Sequence, residues 1–233
     1  MRRSMLAVSF ACLWCAVGCK KPAAVEPTLP DPTGRTWAAA VDNPFFPLPV
    51  GATWAYEAMN GAVLERDDVE VLPDVRVVSG VTATVVYDLV TVNAAVVEET
   101  WDWFAQDSDG NVWYLGEDTC EYEMGACTVM TGSWEWGVGG ALPGIIMPAV
   151  PAVDGQPYYQ EYLVGEAEDV GEVIGLGESI TVPAGDFTDC VRTHDTSTLD
   201  PGIDEYKVYC RGFGLVFTDE PEADAALVSY AGL

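Results

Sequence analysis

The chain has 233 residues, 37 acidic and 10 basic, for a formal net charge of −27, and 49% of it is apolar. Such a balance repels nucleic acid and anionic lipid, so cations and basic partners are the charged ligands it attracts. With so many apolar and aromatic residues, the acidity reads as the surface of a folded domain and not as a disordered tail.

In chain order the first element is a basic start, Met1-Arg2-Arg3, and then a short apolar run from Met5 to Val17. That run is too short to span a bilayer and has the form of a secretory signal. It ends in Ala16-Val17-Gly18-Cys19, with Leu13 upstream. Small residues before a cysteine resemble the lipobox of bacterial lipoproteins, although Ala16 stands where that family carries leucine. The resemblance implies that 1–18 is a lipoprotein signal peptide and that Cys19 carries the lipid, palmitate included. It also implies a protein of the cell envelope, held to the membrane by a lipid anchor. Lys20 follows Cys19 where an aspartate would favour the inner membrane, so the outer membrane is expected, facing periplasm or cell surface. Loss of Arg2 and Arg3 with the signal leaves eight basic residues against 37 acidic ones.

Residues 19–42 hold prolines at 22, 27, 30 and 32 among small residues, the composition of an extended tether. Thr36–Val41 is expected to form one helical turn where the tether meets a domain spanning 43–233. Cys12 and Cys15 lie in the signal, which leaves Cys120, Cys127, Cys190 and Cys210. An even remainder in an oxidising compartment reads as disulfides; of three possible pairings, local spacing favours Cys120–Cys127 and Cys190–Cys210. Zinc is disfavoured, because His194 is the only histidine.

From residue 43 on, short runs rich in β-branched and aromatic residues alternate with Gly, Pro, Asn and Asp signals, from ATWAYEA through AVVEETWDWFAQ to ALVSYA. No segment keeps a 3.6-residue apolar period over three turns. The expected fold is all-β: an antiparallel meander forming a barrel, half-barrel or sandwich in a single domain.

Asp107-Ser108-Asp109-Gly110-Asn111 separates two such runs. An Asp-Gly pair there predicts a hairpin turn with solvated carboxylates, whose removal would change stability by about 0.5 kcal/mol or less. Calcium is the possible cofactor: Asp107, Asp109 and Asn111, with Glu117 and Asp118 on the return strand, offer oxygens at alternating positions. The pattern departs from the known calcium loop, since Gly110 follows the second acid directly and no glutamate stands at the twelfth position. The turn is the preferred reading.

Toward the C-terminus, Val182-Pro183-Ala184-Gly185 and Gly212-Phe213-Gly214-Leu215-Val216 are similar to a paired pattern in uncharacterised bacterial exported proteins and lipoproteins. NPFFPLPVGATWAYE, from Asn43, looks like the first strand of the same proteins. The resemblance implies a curved antiparallel sheet, related to the half-barrels that carry lipoproteins across the periplasm. Pairing Cys190 with Cys210 would set Arg192 opposite Val208, His194 opposite Tyr206 and Asp195 opposite Glu205. That last like-charge pair calls for relief by the diagonal Lys207.

Enzyme signatures are missing: there is no Gly-x-Ser-x-Gly elbow, HExxH, Walker loop or dinucleotide glycine set. Acid pairs such as Glu98-Glu99 arise by chance in so acidic a chain. A non-catalytic protein is expected. The apolar stretch from Gly137 to Tyr159 reads as a long irregular loop that plugs one end of the sheet or covers a ligand. Ile145, Ile146 and Met147 in it, with Trp134 and Trp136 beside it and Trp101 and Trp103 on an earlier strand, are the candidate contacts for an apolar ligand carried within the curved sheet. The alternative is a structural or interaction lipoprotein whose acidic surface binds calcium or a basic protein partner.

Overall fold

The structure is a computed structural model that describes residues 25–129, 132–200, 202–221 and 223–233. The signal sequence and Cys19 lie outside the described residues.

Among the described residues there is no helix. Two dipeptides, β1 (Asp42–Asn43) and β2 (Phe46–Pro47), form a ribbon of their own. A meander follows through β3 (Thr53–Asn60), β4 (Val63–Val78), β5 (Val81–Val92), β6 (Ala95–Gln106) and β7 (Val112–Glu123), each antiparallel to the next. Onto β7 pair β8 (Ala126–Val129), β9 (Trp134–Glu135) and β10 (Leu142–Met147). After β11 (Tyr158–Tyr159) and β12 (Glu161–Tyr162), a second meander runs through β13 (Asp169–Val182), β14 (Gly185–Ser197), β15 (Asp204–Cys210), β16 (Gly214–Asp219) and β17 (Ala225–Ala231). Strand β17 pairs back onto β3, which unites the two halves in one 15-stranded sheet.

The fold is therefore the expected all-β antiparallel sheet, in the half-barrel or sandwich form and not closed into a barrel. Its path of paired strands ends in β11 on one side and β12 on the other. Those two ends are consecutive in the chain: Tyr158-Tyr159 pairs with β13 and Glu161-Tyr162 with β10, while the Gln160 amide donates to the Asp169 carbonyl at 2.8 Å. Gly144 makes this seam possible, because a Cβ there would sit 2.2 Å from the carbonyl carbon of Gln160.

Trp54, Val71, Val86, Phe104, Val191 and Leu227, from strands across the whole sheet, meet in one buried cluster. A sheet can bring such distant strands into one core only by curling that face inward. Their sequence neighbours Val85 and Trp103 point the other way and, with Trp113 and Leu115, build a second cluster on the outer face.

Both disulfides join the expected partners, Cys120–Cys127 and Cys190–Cys210. The register around the second also follows, with Arg192 opposite Val208, His194 opposite Tyr206 and Asp195 opposite Glu205. Lys207 relieves the like-charge pair, its Nζ lying 3.3 Å from Asp195 and 3.2 Å from Glu205. The Val-Pro-Ala-Gly and Gly-Phe-Gly motifs are the turns between β13 and β14 and between β15 and β16. They share one end of the sheet, where the Trp54 indole donates to the Phe213 carbonyl at 2.7 Å.

Two expectations differ in the structure. The proline-rich segment is laid against the domain from Thr28 onward. Thr28 bonds to Pro157 and Tyr159, Thr36 accepts from Ser108, and Ala38 donates to Gln106. The helical turn expected over Thr36–Val41 is absent; Trp37 bridges to Asp107 and its ring stands edge-on to Trp113 at 5.9 Å. Packing the indole against the outer cluster there outweighs the helix preference of three alanines. The stretch from Gly137 to Tyr159 is likewise not irregular throughout, because β10 runs through its middle with Ile145 opposite Trp113 and Met147 opposite Val112. Segment 41–48 is folded into the same core, burying Val41, Phe45 and Leu48 beside Met147 of that stretch.

Candidate functional site

Inside the curl lies a cavity of about 170 Å³. Phe46, Trp54, Tyr56 and Phe104 supply aromatic walls, with Val69 and Val86 between them. Strand alternation explains how acids come to share this face: Tyr56 is opposite Asp67, Val69 opposite Asp88, Val86 opposite Asp102, and Asp102 opposite Glu117. Asp67, Asp88 and Asp102 complete the lining, so one side of an aromatic chamber is built of carboxylates.

Their electrostatics is that of acids pushed together away from water. Burial, with the charges of Asp68 and Asp102 added, lifts Asp67 to about 6, against the opposing effect of its hydrogen bond with Asp88. Burial, the hydrogen bond to Asp67 and the charge of Asp67 lift Asp88 to about 10. Asp102 is driven well above the usual carboxylate range by burial and by Glu117, although it accepts the Tyr114 hydroxyl. The series continues beyond the cavity. Burial raises Glu117 to about 7, and burial with the charges of Asp169 and Glu117 raises Glu161 to about 9. The acidity of this chain is thus not confined to its outer surface, as composition alone suggested.

Asp107, Asp109 and Asn111 do come together in the connection between β6 and β7, but not around an open position. Asp107 is 1% exposed, and its Oδ1 accepts from the backbone amides of Asp109 and Asn111. Its Oδ2 accepts from the Asn111 amide at 2.9 Å, the Trp113 indole at 2.9 Å and the Arg35 guanidinium at 2.6 Å. Burial alone would raise this carboxyl; the bonds from Asn111 and Trp113 and the charge of Arg35 hold it below the usual range. The expected solvated turn is therefore half right: Asp109 is exposed and Asp107 is a buried anchor. The missing information was Arg35, which returns from the segment read as a free tether. Glu117 and Asp118 lie farther along β7, opposite Asp102 and Trp101. Among the described residues no group of three or more His, Cys, Asp or Glu side chains is disposed to hold a metal ion.

The apolar candidates are also divided. Trp101, Trp103, Trp136 and Ile145 belong to the outer cluster, where Arg76 lies 3.8 Å over the Trp103 ring. Ile146 and Met147 join the inner core. Trp134 packs with Ala141 and Ala167 and donates to Glu161 at 2.8 Å. None of the seven lines the cavity. The residues that do were overlooked because each strand also carries polar residues on its other face, such as Arg66, Asp68 and Glu70. A usable signal was the acid placed two positions from an aliphatic or aromatic residue on three successive strands: Asp67 with Val69, Asp88 with Val86, Asp102 with Phe104. Set against known proteins, the chain matches no family model, no curated protein and no solved structure, so its site is read from its own residues.

Proposed function

We propose that this protein is a non-catalytic, lipid-anchored protein of the cell envelope that binds a small, largely apolar ligand inside its curled sheet. The observation that carries the reading is the chamber walled by Phe46, Trp54, Tyr56 and Phe104, a concave apolar site with a few polar groups at one side. Two disulfides support an oxidising location. Native mass spectrometry of protein purified from its own host is expected to find a small molecule retained with the folded chain. Mass corresponding to calcium or a bound protein, with the chamber empty, would favour the interaction role instead. The anchor is tested separately: Cys19→Ala is expected to leave the membrane fraction and appear soluble. Retention through a high-salt wash would remove the lipid from the proposal.

A further inference from the structure

Resting on that reading, we infer that the chamber's ligand is a small organic cation, an alkylammonium ion whose charge lies against Asp67, Asp88 and Asp102 and whose alkyl groups meet the aromatic walls.

Three features of the chamber point this way. Asp67 and Asp88 line the chamber bonded to each other, and their Oδ1 atoms receive no donor from any other described residue, so no counter-ion answers the pair's charge. None of the residues lining the cavity is basic. The deficit extends across the same inner face, where Asp195, with 4% of its side chain exposed, leaves Oδ1 unpartnered although Lys207 and Gln160 serve its other oxygen. Tyr209, whose phenol feels the charge of Asp195, stands 6.1 Å from Phe46 of the chamber wall.

The same features choose among cations. Calcium wants six to eight oxygens and magnesium six, and here most of the wall is aromatic or aliphatic carbon. Aromatic faces attract a cation without donating lone pairs, the basis of quaternary ammonium recognition. On the scale where a cavity of about 150 Å³ takes up benzene, a 170 Å³ chamber takes a ligand of roughly six or seven heavy atoms. Protons fill the role while the ligand is away. Asp67 and Asp88 share one across the strand pair, facing Tyr56, Asp68, Asp102, Glu65 and Glu98, and a bound cation releases it. Binding therefore strengthens as pH rises.

Choline and its neutral carbon isostere, 3,3-dimethylbutan-1-ol, separate charge from shape, and titration calorimetry of the purified protein reads both. Choline is expected to bind at least tenfold more tightly than the alcohol at pH 8, to weaken at least fivefold at pH 5.5, and to release protons. Asp88→Asn, which leaves the chamber's volume unchanged, is expected to lose at least tenfold in choline affinity while keeping the alcohol's. Equal binding of choline and the alcohol would overturn the cation and leave the apolar chamber standing. Failure of both to bind would overturn both. Undiminished choline binding in Asp88→Asn and Asp67→Asn would place the ion elsewhere on the acidic surface and overturn the inference as well.

Discussion

Replacing Asp107 by alanine is expected to destabilise the protein by about 3–5 kcal/mol, the range for breaking a buried ion pair by removing one partner. Five donors converge on this carboxylate: the amides of Asp109 and Asn111, the Asn111 side chain, the Trp113 indole and Arg35. Alanine leaves Trp113, itself fully buried, with an unpaired indole N–H, and the Arg35 guanidinium loses its buried anchor. It also loosens the contact that draws the proline-rich segment onto the sheet. Asp109→Ala is the control. Asp109 meets the same guanidinium at 3.2 Å with its side chain 76% exposed, and its loss should stay within about 0.5 kcal/mol. Urea unfolding of both variants decides; an Asp107→Ala midpoint close to that of the parent would refute the anchoring role.

Thermal stability is expected to be greatest near pH 4 to 5 and to fall steadily toward pH 8. Asp67, Asp88, Glu117 and Glu161 all have native pKa values above their unfolded ones, so the folded chain binds more protons than the unfolded chain between those limits. Their contribution is fully present below about pH 4 and is lost as pH rises through the native values. Asp107 acts in the opposite sense: its lowered pKa withdraws stability as pH falls below the ordinary carboxylate range, which sets the acid limit. At about 1.4 kcal/mol per pKa unit, and with neighbours sharing protons so that shifts do not add, the loss to pH 8 is on the order of 5 kcal/mol. In a domain of this size that is roughly 10–20 °C in Tm. Asp88→Asn should raise Tm at pH 8 and leave it nearly unchanged at pH 4.5. Asp74→Asn, at an exposed position, tests whether general self-repulsion accounts for the slope. A Tm that is flat or rising across this range would contradict the account.

What the sequence disclosed was governed by the range of the interactions involved. Strands announce themselves by alternation, and a disulfide fixes its own register, so pairings as fine as Asp195 with Glu205 were readable in advance. Strand β10 was hidden because Pro143 and Gly144 look like loop residues. Their value in a strand emerges only when Gln160 arrives against Gly144 from elsewhere in the chain. The buried state of Asp107 was invisible for the same reason, its partner Arg35 being far away in sequence. As for the chamber, alternation marks which residues share a face but not which face turns inward when both carry acids. Deciding that requires knowing that β17 pairs with β3 and curls the sheet.

The seam at 158–162 gives this sheet an uneven resistance to opening. There each edge is held by two residue pairs, while β13 and β14 stay paired along nearly their whole length. Amide hydrogens at the seam are therefore expected to exchange with solvent ahead of those in the long hairpins, through a local breathing motion that leaves the hairpins intact. A slit opened between β10 and β13 bares the inner face there at less cost than unfolding the sheet. Opening of this edge is thereby governed by five residues, largely apart from the long ladders that set the melting temperature.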